Sequence, residues 1–505
     1  MVLAGLAVLL YVLRQLSGSI VAGSLRSAIL LGAVFVAFFV AARIAGDWRN
    51  GVYLFFVWLL LEDLIRKYMG NNMYIYFAKD ALVGVTYVSF LVARGREERA
   101  KPFHPPFRFA LGAFVILGLV QVFNPLTPSI FYGLLGLKLY FYYVPLMFVG
   151  YAMLRHEDDL RRFLVVNMGL AGAISLLGII QAVVGLDFLN PHGGADIEEL
   201  GHLMRQTHSG LGLSRPPSVF VSCGRFTDYL ILTFFLGFGA AGHLLLRPGR
   251  GRKLVFPALG LVALATTLSG GRGPFMQMLG FSLVLSAIML WGAPPDVGAA
   301  YRLFKAIRRS FILVAVLVSL SLFFFPDVIG ARLTFYSESA VPGAKYSEVG
   351  ERMWDYPVRE LKTALADPDR LIGHGLGTAS LGAQYVTRIT EAPPSKLGVE
   401  SGFGNLVLEF GLLGPILWIV WALSLLFTGF KTALRVKGTW AFPVAISIFF
   451  FSFFLLIITM WGTNVVFEDF ISNAYLWFMV GILFRLPDLV KQDTGDLQVD
   501  SAGKI

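Results

Sequence analysis

The sequence is poor in cysteine and in charge, and each shortage excludes a class of protein. Its 505 residues include one cysteine, Cys223, so no intrachain disulfide can form and cysteine usage does not indicate a redox compartment. Charged residues make up 15% of the chain, whereas soluble domains carry about 25%. At 56% hydrophobic residues, the chain has more apolar surface than a water-soluble core can hide. We therefore expect a polytopic membrane protein.

The signatures of several soluble enzyme classes are also missing. The chain contains no His-Glu-x-x-His, no Cys-x-x-Cys and no P-loop. His192, His202 and His208 lack the spacing of a metal-binding helix, and we interpret them as solvated loop residues. The net charge of +10 lies mostly in short loops, which indicates membrane topology and not nucleic-acid binding. The sequence thus predicts no metal, no cofactor and no nucleic-acid partner.

The apolar runs predict an all-α fold, a polytopic transmembrane helical bundle of about 14 spans with a large external loop that carries short helices. The predicted spans are 2–16, 27–46, 51–65, 78–93, 109–124, 131–153, 163–186, 226–246, 254–269, 275–292, 311–325, 405–427, 440–460 and 471–486. The predicted organisation is 1–325 for the first 11 spans with an external loop near 187–224, 326–404 for the large external loop, 405–486 for the last three spans, and 487–505 for a cytoplasmic tail.

Arginine and lysine predict the orientation of these spans. Basic segments alternate with less basic or long ones, and the basic ones are Arg94–Lys101, Arg155–Arg162, Arg247–Lys253, Arg302–Arg309, Lys431–Lys437 and Arg485–Lys491. Because such segments stay in the cytoplasm, both termini are expected there and the 326–404 loop outside. Arg66, Lys67 and Lys79 break the rule, since they flank a segment that this orientation makes external.

The 326–404 loop has local patterns of its own. Trp354, Leu361 and Leu365 recur at helical spacing and predict a surface helix over about 355–366, with Pro357 tolerated in its first turn. The alternating glycines of Gly373–Gly377 predict an irregular turn. They resemble half of a dinucleotide-binding fingerprint, but no predicted strand precedes them, so we discard that interpretation.

Ionisable residues near the external ends of the spans are candidates for function, because charge inside a membrane is costly. These residues are Lys138, Arg215, Arg225, Arg272 and Glu409. Guanidinium groups match phosphate oxygens in a two-pronged way and stay charged, so the basic members suggest a diphosphate. The alternatives are snorkelling of the basic side chains to the headgroups and a structural hydrogen bond for Glu409.

These residues stand in motifs whose order resembles that of the O-antigen ligase and O-antigen polymerase superfamily of bacterial inner-membrane proteins. The first two elements are Arg215 in Ser-Arg-Pro-Pro-Ser-Val-Phe and Arg272, which follows Gly271 where serine is usual in the family. The third is Arg352-Met-Trp, followed by a helix and by Gly373–Gly377. The fourth is a re-entry span at Asn405–Gly414 that contains Glu-x-Gly-Leu-Leu-Gly. The resemblance covers most of the chain.

One position departs from the family pattern. Family members carry His-Asn nine residues before the glutamate of the re-entry span, and the histidine is the proposed base of the ligases. Counting back from Glu409 gives Glu400-Ser401. The resemblance therefore implies that Glu400 replaces the histidine as base, since a carboxylate near apolar surface can serve in that role. The alternative is a solvated loop residue beside a helix N-cap.

The resemblance implies a metal-independent glycosyltransferase without cofactor. It would polymerise polyprenyl-diphosphate-linked oligosaccharide repeat units into O-antigen or exopolysaccharide on the external face of the inner membrane. Its catalytic residues would be Glu400 and Arg272, and the diphosphate-binding residues would be Arg215, Arg272, Arg352, Arg225 and Lys138. Glu409 and His374 would have structural or auxiliary roles. Besides the bilayer, a chain-length regulator and a flippase are the expected partners.

Three alternatives remain open at the sequence level. A ligase would transfer the finished glycan to lipid A core, although the missing histidine disfavours it. A transporter of lipid-linked oligosaccharides would also need basic residues in a bundle, but it should carry its charges near the midplane, often with paired broken helices. A structural partner in an export complex would need no chemistry at all.

Overall fold

The computed structural model describes residues 39–69, 73–96, 103–190, 203–206, 212–324, 326–340, 351–380, 382–391, 398–462 and 465–502. The chain divides into two compact units, one formed by residues up to Glu62 together with 72–101, and the other by Asp63–Asn71 together with the chain from Pro102 onward. The fold is 78% helical and has almost no strand, which confirms the all-α class.

The helices of the first half are α1 (Trp48–Tyr68), α2 (Met73–Arg96), α3 (Arg108–Gln121), α4 (Ile130–Phe141), α5 (Leu146–Met153), α6 (Glu157–Val184), α7 (Cys223–Leu246), α8 (Arg252–Leu268) and α9 (Arg272–Trp291). Two short strands, β1 (Met204–Gln206) and β2 (Gly212–Ser214), pair antiparallel between α6 and α7.

The helices of the second half are α10 (Val297–Phe324), α11 (Pro326–Ala340), α12 (Tyr356–Leu365), α13 (Ala383–Thr390), α14 (Gly402–Phe410), α15 (Leu413–Arg435), α16 (Phe442–Phe453), α17 (Met460–Gly462), α18 (Val465–Glu468) and α19 (Phe470–Ala502). Two π-helical stretches, Glu351–Asp355 and Phe454–Thr459, precede α12 and α17.

The described residues contain eight helices that are long and apolar enough to cross a membrane. They are Tyr74–Gly95, Ile130–Met153, Glu157–Val184, Cys223–Leu246, Arg272–Trp291, Leu413–Arg435, Phe442–Gly462 and Phe470–Asp493. The chain is therefore a helical membrane protein, while the predicted count of about 14 spans is not confirmed. The predicted span 2–16 and most of 27–46 lie outside the described residues.

The predicted span 405–427 is wrong in its start, because the helix is broken at Gly411. There the backbone has φ +71°, and a Cβ on this glycine would lie 2.3 Å from the carbonyl oxygen of Leu371. Only glycine fits such a left-handed and crowded position. Glu409 consequently lies in the short helix α14, and the span begins at Leu413.

The cytoplasmic tail 487–505 remains a prediction, and the structure shows that α19 continues through Pro487 to Ala502. Side chains beyond the apolar run bind to neighbouring elements: Asp488 accepts a hydrogen bond from the Tyr151 hydroxyl at 2.7 Å, and Asp493 pairs with Arg247 at 2.5 Å. These polar contacts attach the second half of α19 to α5 and to the end of α7.

The segment 326–404 contains the helix that its periodicity predicts. The predicted surface helix over about 355–366 is confirmed as α12, and Pro357 lies in its first turn. A further helix, α11, opens the segment, which the sequence had left without structure.

The turn Gly373–Gly377 packs against the segment before and within α4. Gly373, Gly375 and Gly377 have φ values of +78°, +96° and +79°, which confirms an irregular turn. A Cβ on Gly377 would lie 2.2 Å from the carbonyl oxygen of Tyr132. The glycines thus permit both the left-handed backbone and its close approach to α4.

Side chains from the end of α3 and the following loop satisfy the carbonyls of this turn. The Ile372 carbonyl accepts from Gln121 at 2.7 Å, the Gly373 carbonyl from Asn124 at 2.9 Å, and the His374 carbonyl from Thr127 at 3.0 Å. On the other side, the N–H of His374 donates to the carbonyl of Leu408 in α14 at 2.7 Å. The turn therefore joins α3, α4 and α14.

We predict that Gly377→Ala destabilises the protein, whereas Gly280→Ala does not. A left-handed residue other than glycine costs about 1–2 kcal/mol, and the overlap with Tyr132 adds to this cost. Gly280, inside α9, has open space around its Cα. Thermal unfolding of the detergent-solubilised variants measures the difference, and equal melting temperatures would contradict it.

We predict that the external segment reacts with a membrane-impermeant maleimide in intact spheroplasts. In a Cys223→Ser background, Glu391→Cys places one thiol at an exposed position at the end of α13. The matched control is Arg308→Cys, at an exposed position in a basic segment expected in the cytoplasm. Labelling of position 391 only after permeabilisation would overturn the orientation.

Candidate anion-binding site

Three arginines from separate elements approach one tyrosine at one end of the bundle. Arg215 follows strand β2, Arg272 is the first residue of α9, and Arg332 lies in α11 four residues before Tyr336. The charges of all three guanidinium groups act on the Tyr336 hydroxyl. The structure thus brings the predicted residues Arg215 and Arg272 together and adds Arg332. We call these three residues and Tyr336 the arginine cluster.

A glycine pair shapes the backbone between α8 and α9. Gly270 has φ +68°, and a Cβ on it would lie 3.0 Å from Cγ of Arg215. A larger residue would therefore crowd the stem of that arginine. Gly271 then serves as the N-cap of α9, so Arg272 begins a 20-residue helix whose first N–H groups have no partner within the helix.

Arg332 is the structural member of the cluster. Its side chain is buried, with 3% of its surface exposed. Its Nε donates to the carbonyl of Leu268 at 2.7 Å, and its Nη2 donates to the carbonyl of Ser214 at 2.9 Å. Arg332 therefore ties α11 to the end of α8 and to β2, directly beside Arg215.

Tyr336 remains a neutral hydrogen-bond donor. Its hydroxyl donates to the carbonyl of Thr267 at 2.9 Å, and its ring stacks on Phe275 at 4.6 Å between centroids. Burial raises the pKa of Tyr336 to about 12, although the arginines of the cluster oppose this shift. The phenol therefore does not neutralise the guanidinium groups at physiological pH.

The other two arginines differ in their surroundings. The guanidinium carbon of Arg272 lies 4.1 Å from the centroid of the Phe335 ring, which fixes the plane of the group. The Nε of Arg215 is buried and has no hydrogen-bond partner among the described residues. A buried donor without an acceptor is costly, so the site is short of one acceptor.

This arrangement suits a multivalent oxyanion. Guanidinium groups offer paired donors that match phosphate or carboxylate oxygens, and the N-terminus of α9 adds N–H groups and a favourable dipole. Cations held close together repel one another unless an anion lies between them. The cluster can therefore bind a phosphate or diphosphate without a metal ion.

Arg225, which was predicted to bind diphosphate, is already engaged. Its Nη1 donates to both carboxylate oxygens of Asp63, at 3.0 and 2.9 Å, and its guanidinium carbon lies 4.6 Å from the centroid of the Phe470 ring. Asp63 also pairs with Arg66 at 3.5 Å. The same carboxylate thus contacts both cations, and binding of diphosphate by Arg225 remains a prediction from the sequence.

The same contacts explain the charges that break the topology rule. Arg66 pairs with Asp63, and Lys67 donates to the carbonyl of Ser218 at 2.9 Å. Lys79 pairs with Glu62 at 3.0 Å, and both side chains are fully buried. All three basic residues therefore have structural partners and are poor markers of membrane orientation.

Arg352 and Lys138 are the other two residues that the sequence predicts to bind the diphosphate. Arg352 belongs to the π-helical stretch Glu351–Asp355, and its side chain lies outside the described residues. Lys138 is partly buried in α4, the helix against which the glycine turn packs. Both remain predictions from the sequence.

Glu400 is exposed and precedes the N-cap of α14. Its main-chain N–H donates to Oε2 of Glu360 in α12 at 3.3 Å, and the next residue, Ser401, caps α14 by accepting from the N–H of Gly404. Glu400 is thus anchored beside α12 at the start of the re-entry helix, with its side chain toward solvent.

Glu409 and His374 make structural contacts. Glu409 is buried, and its Oε1 accepts from the N–H of Ala379 at 3.0 Å, which ties α14 to the end of the glycine turn. His374 contacts Oδ1 of Asp367 through Nε2 at 2.9 Å. Asp367, Asp369 and His374 offer three possible metal ligands within 4.8 Å of one another, a grouping that the sequence interpretation had not considered.

The sequence interpretation missed Arg332, Tyr336 and Asp63 as members or neighbours of the site. Arg332 and Tyr336 are four residues apart, so they lie on the same face of α11, and this spacing was a usable signal. Asp63 is the ion-pair partner of Arg225, but the two lie 162 positions apart in the sequence and no local pattern links them.

Comparisons of the chain with protein-family models, curated proteins and solved structures return no significant match. The function of the protein is therefore inferred from the geometry of the arginine cluster and from the sequence motifs.

We predict that Arg332→Met destabilises the protein by about 1–3 kcal/mol, because it leaves the buried carbonyls of Leu268 and Ser214 without donors. Methionine keeps most of the stem, so a cavity contributes little. Arg308→Met, at an exposed position, removes the same charge and should be neutral. Thermal unfolding in detergent compares them, and a stable Arg332 variant would refute the structural role.

Proposed function

We propose that the protein is a membrane glycosyltransferase that polymerises polyprenyl-diphosphate-linked oligosaccharide repeat units into O-antigen or exopolysaccharide. The arginine cluster at one end of the bundle carries this proposal. The resemblance of the sequence to O-antigen ligases and polymerases supplies the substrate class, and the fold supplies the membrane in which a polyprenyl chain dissolves.

In the proposed reaction, a sugar hydroxyl of the acceptor attacks the anomeric carbon of the donor. The bond between that carbon and the diphosphate oxygen breaks, and polyprenyl diphosphate leaves with the bonding electron pair. Arg215 and Arg272 stabilise the negative charge that grows on the leaving group, which is the contribution of a metal ion in other transferases. Arg332 holds the two elements in register through its carbonyl contacts.

Glu400 is the proposed base that takes the proton of the attacking hydroxyl. Its anchorage beside α12 supports the proposal, because that helix lies over the start of the re-entry helix α14. A positioned carboxylate can accept the proton as the carbon–oxygen bond forms. The exposed side chain is also suited to an acceptor that arrives from the aqueous side.

The absence of the ligase histidine favours polymerase over ligase, and the cellular site we propose is the inner membrane, with both termini in the cytoplasm. The acceptor in that case is a second lipid-linked repeat unit. A ligase acting on lipid A core remains the nearest alternative within the same reaction class.

A transporter of lipid-linked oligosaccharides is the second candidate, and one observation favours it. Asp228 in α7 and Asp469 before α19 line one cavity together with Ser472 and Thr459. Acidic residues buried among spans are typical of ion-coupled transport. Reconstitution with a lipid-linked repeat unit distinguishes the two candidates. A polymerase would yield a ladder of products that differ by one repeat unit, whereas a transporter would move the lipid across the bilayer without forming such a ladder.

We predict that Arg272→Lys loses most polymerisation activity while Arg308→Lys retains it. Lysine keeps the charge but cannot copy the planar fork that holds two phosphate oxygens, nor its contact with the Phe335 ring. Arg308 is an exposed residue of a basic segment, where lysine serves as well. Equal ladders from the two variants would mean that Arg272 does not bind the diphosphate.

We predict that Glu400→Gln keeps the fold and donor binding but slows turnover at least about tenfold, since a positioned base contributes about 10²–10⁴-fold. The amide cannot accept the proton. Glu400→His should restore part of the rate, because imidazole has this role in the proposed relatives. Glu391→Gln is the control and should be near normal. Wild-type ladder lengths from Glu400→Gln would exclude the residue as base.

A further inference from the structure

The turn Arg370–Ile372 of the external segment presents two large apolar side chains that the protein does not cover. Leu371 is 70% exposed and Ile372 is 61% exposed, although the next residue, Gly373, is buried. Single exposed hydrophobic residues are common on proteins, but adjacent ones on a fixed turn indicate a contact surface.

The backbone of this turn is fixed at the ends of two apolar helices. The carbonyl of Arg370 accepts from the N–H of Leu412 at 2.9 Å, immediately before α15 begins. The carbonyl of Ile372 accepts from the side chain of Gln121, the last residue of α3, at 2.7 Å. Because Gly411 packs directly against Leu371, the turn has a defined position and is not a free loop.

The two helix ends expose apolar side chains of their own. Phe123 and Leu126 follow α3 and are 75% and 43% exposed, and Leu413 begins α15 with 49% exposed. We call Phe123, Leu126, Leu371, Ile372 and Leu413 the apolar rim. Along α15, which is long and apolar enough to span a membrane, the exposed residues continue with Ile416, Ile419, Val420, Leu423 and Phe427.

We propose that the apolar rim is immersed in the hydrocarbon of the adjacent leaflet, so that the turn Arg370–Ile372 anchors the external segment in the lipid bilayer. The continuity of the rim with the exposed face of α15 favours lipid over a protein partner, because a spanning helix meets acyl chains on that face. A protein partner, by contrast, would have to cover both the apolar rim and the exposed face of α15.

The positive charge of Arg370, next to the apolar rim, is also consistent with contact to lipid. Arg370 is exposed, and its Nη1 donates to the carbonyl of Asp367 at 3.3 Å. An arginine next to immersed residues reaches the phosphate level of the headgroups. The rim therefore fixes the depth of the glycine turn, and through it the depth of α14, at the lipid–water boundary.

Spin labelling in lipid nanodiscs tests the anchor without reference to catalysis. In the Cys223→Ser background, Ile372→Cys carries a nitroxide whose collisions are measured with oxygen, which enriches in hydrocarbon, and with a water-soluble nickel chelate. Ile416→Cys is the lipid control and Lys362→Cys, exposed on α12, is the water control. We expect the oxygen-to-nickel collision ratio of position 372 to match that of position 416.

Two outcomes would overturn the proposal. A ratio equal to that of position 362 would mean that the turn lies in water. Low collision rates with both reagents, together with dipolar broadening between labels, would mean that a second copy of the chain covers the rim. The substituted residue is exposed, so the fold should persist, and the elution profile of each labelled variant verifies it before the measurement.

Discussion

The close approach of the Gly373–Gly377 backbone to α4 and α14 is the constraint on which the surrounding part of the fold depends. Without side chains at three left-handed positions, the turn can enter a space that a Cβ would fill, and its carbonyls reach donors on α3 and the following loop. The turn thereby joins α3, α4 and α14, the helix just before the span that begins at Leu413. The turn is thus a structural element, although its sequence resembles a nucleotide-binding loop.

A second constraint is electrostatic. Arg332 donates to two backbone carbonyls, and these contacts hold its guanidinium group beside Arg215. By contrast, Asp63 binds both Arg225 and Arg66, so one carboxylate lies against two cations. Asp63 thus joins two cations to the fold, whereas Arg215 keeps a buried Nε without a partner among the described residues. In a low-dielectric environment a buried cationic donor of this kind favours an anionic ligand.

The sequence predicted those features that local pattern determines. Apolar runs gave the all-α membrane class, helical spacing gave α12, and glycine alternation gave the irregular turn. Sequence patterns did not predict features that depend on contacts between distant residues. The break at Gly411 follows from its packing against Leu371, and the ion pair of Arg225 follows from the position of Asp63. In the site, motif order was enough for Arg215 and Arg272, while Arg332 required the three-dimensional arrangement.

The π-helical stretch Phe454–Thr459 gives span Phe442–Gly462 an unusual property. A π turn contains an extra residue relative to an α-helix, so everything after it is rotated by about 100° from the face that the first half predicts. Trp461 thereby donates to the carbonyl of Met353, and its ring lies 5.6 Å from that of Trp354. A one-residue deletion there would preserve a hydrophobic span, yet it would separate the membrane helix from the π-helical stretch Glu351–Asp355.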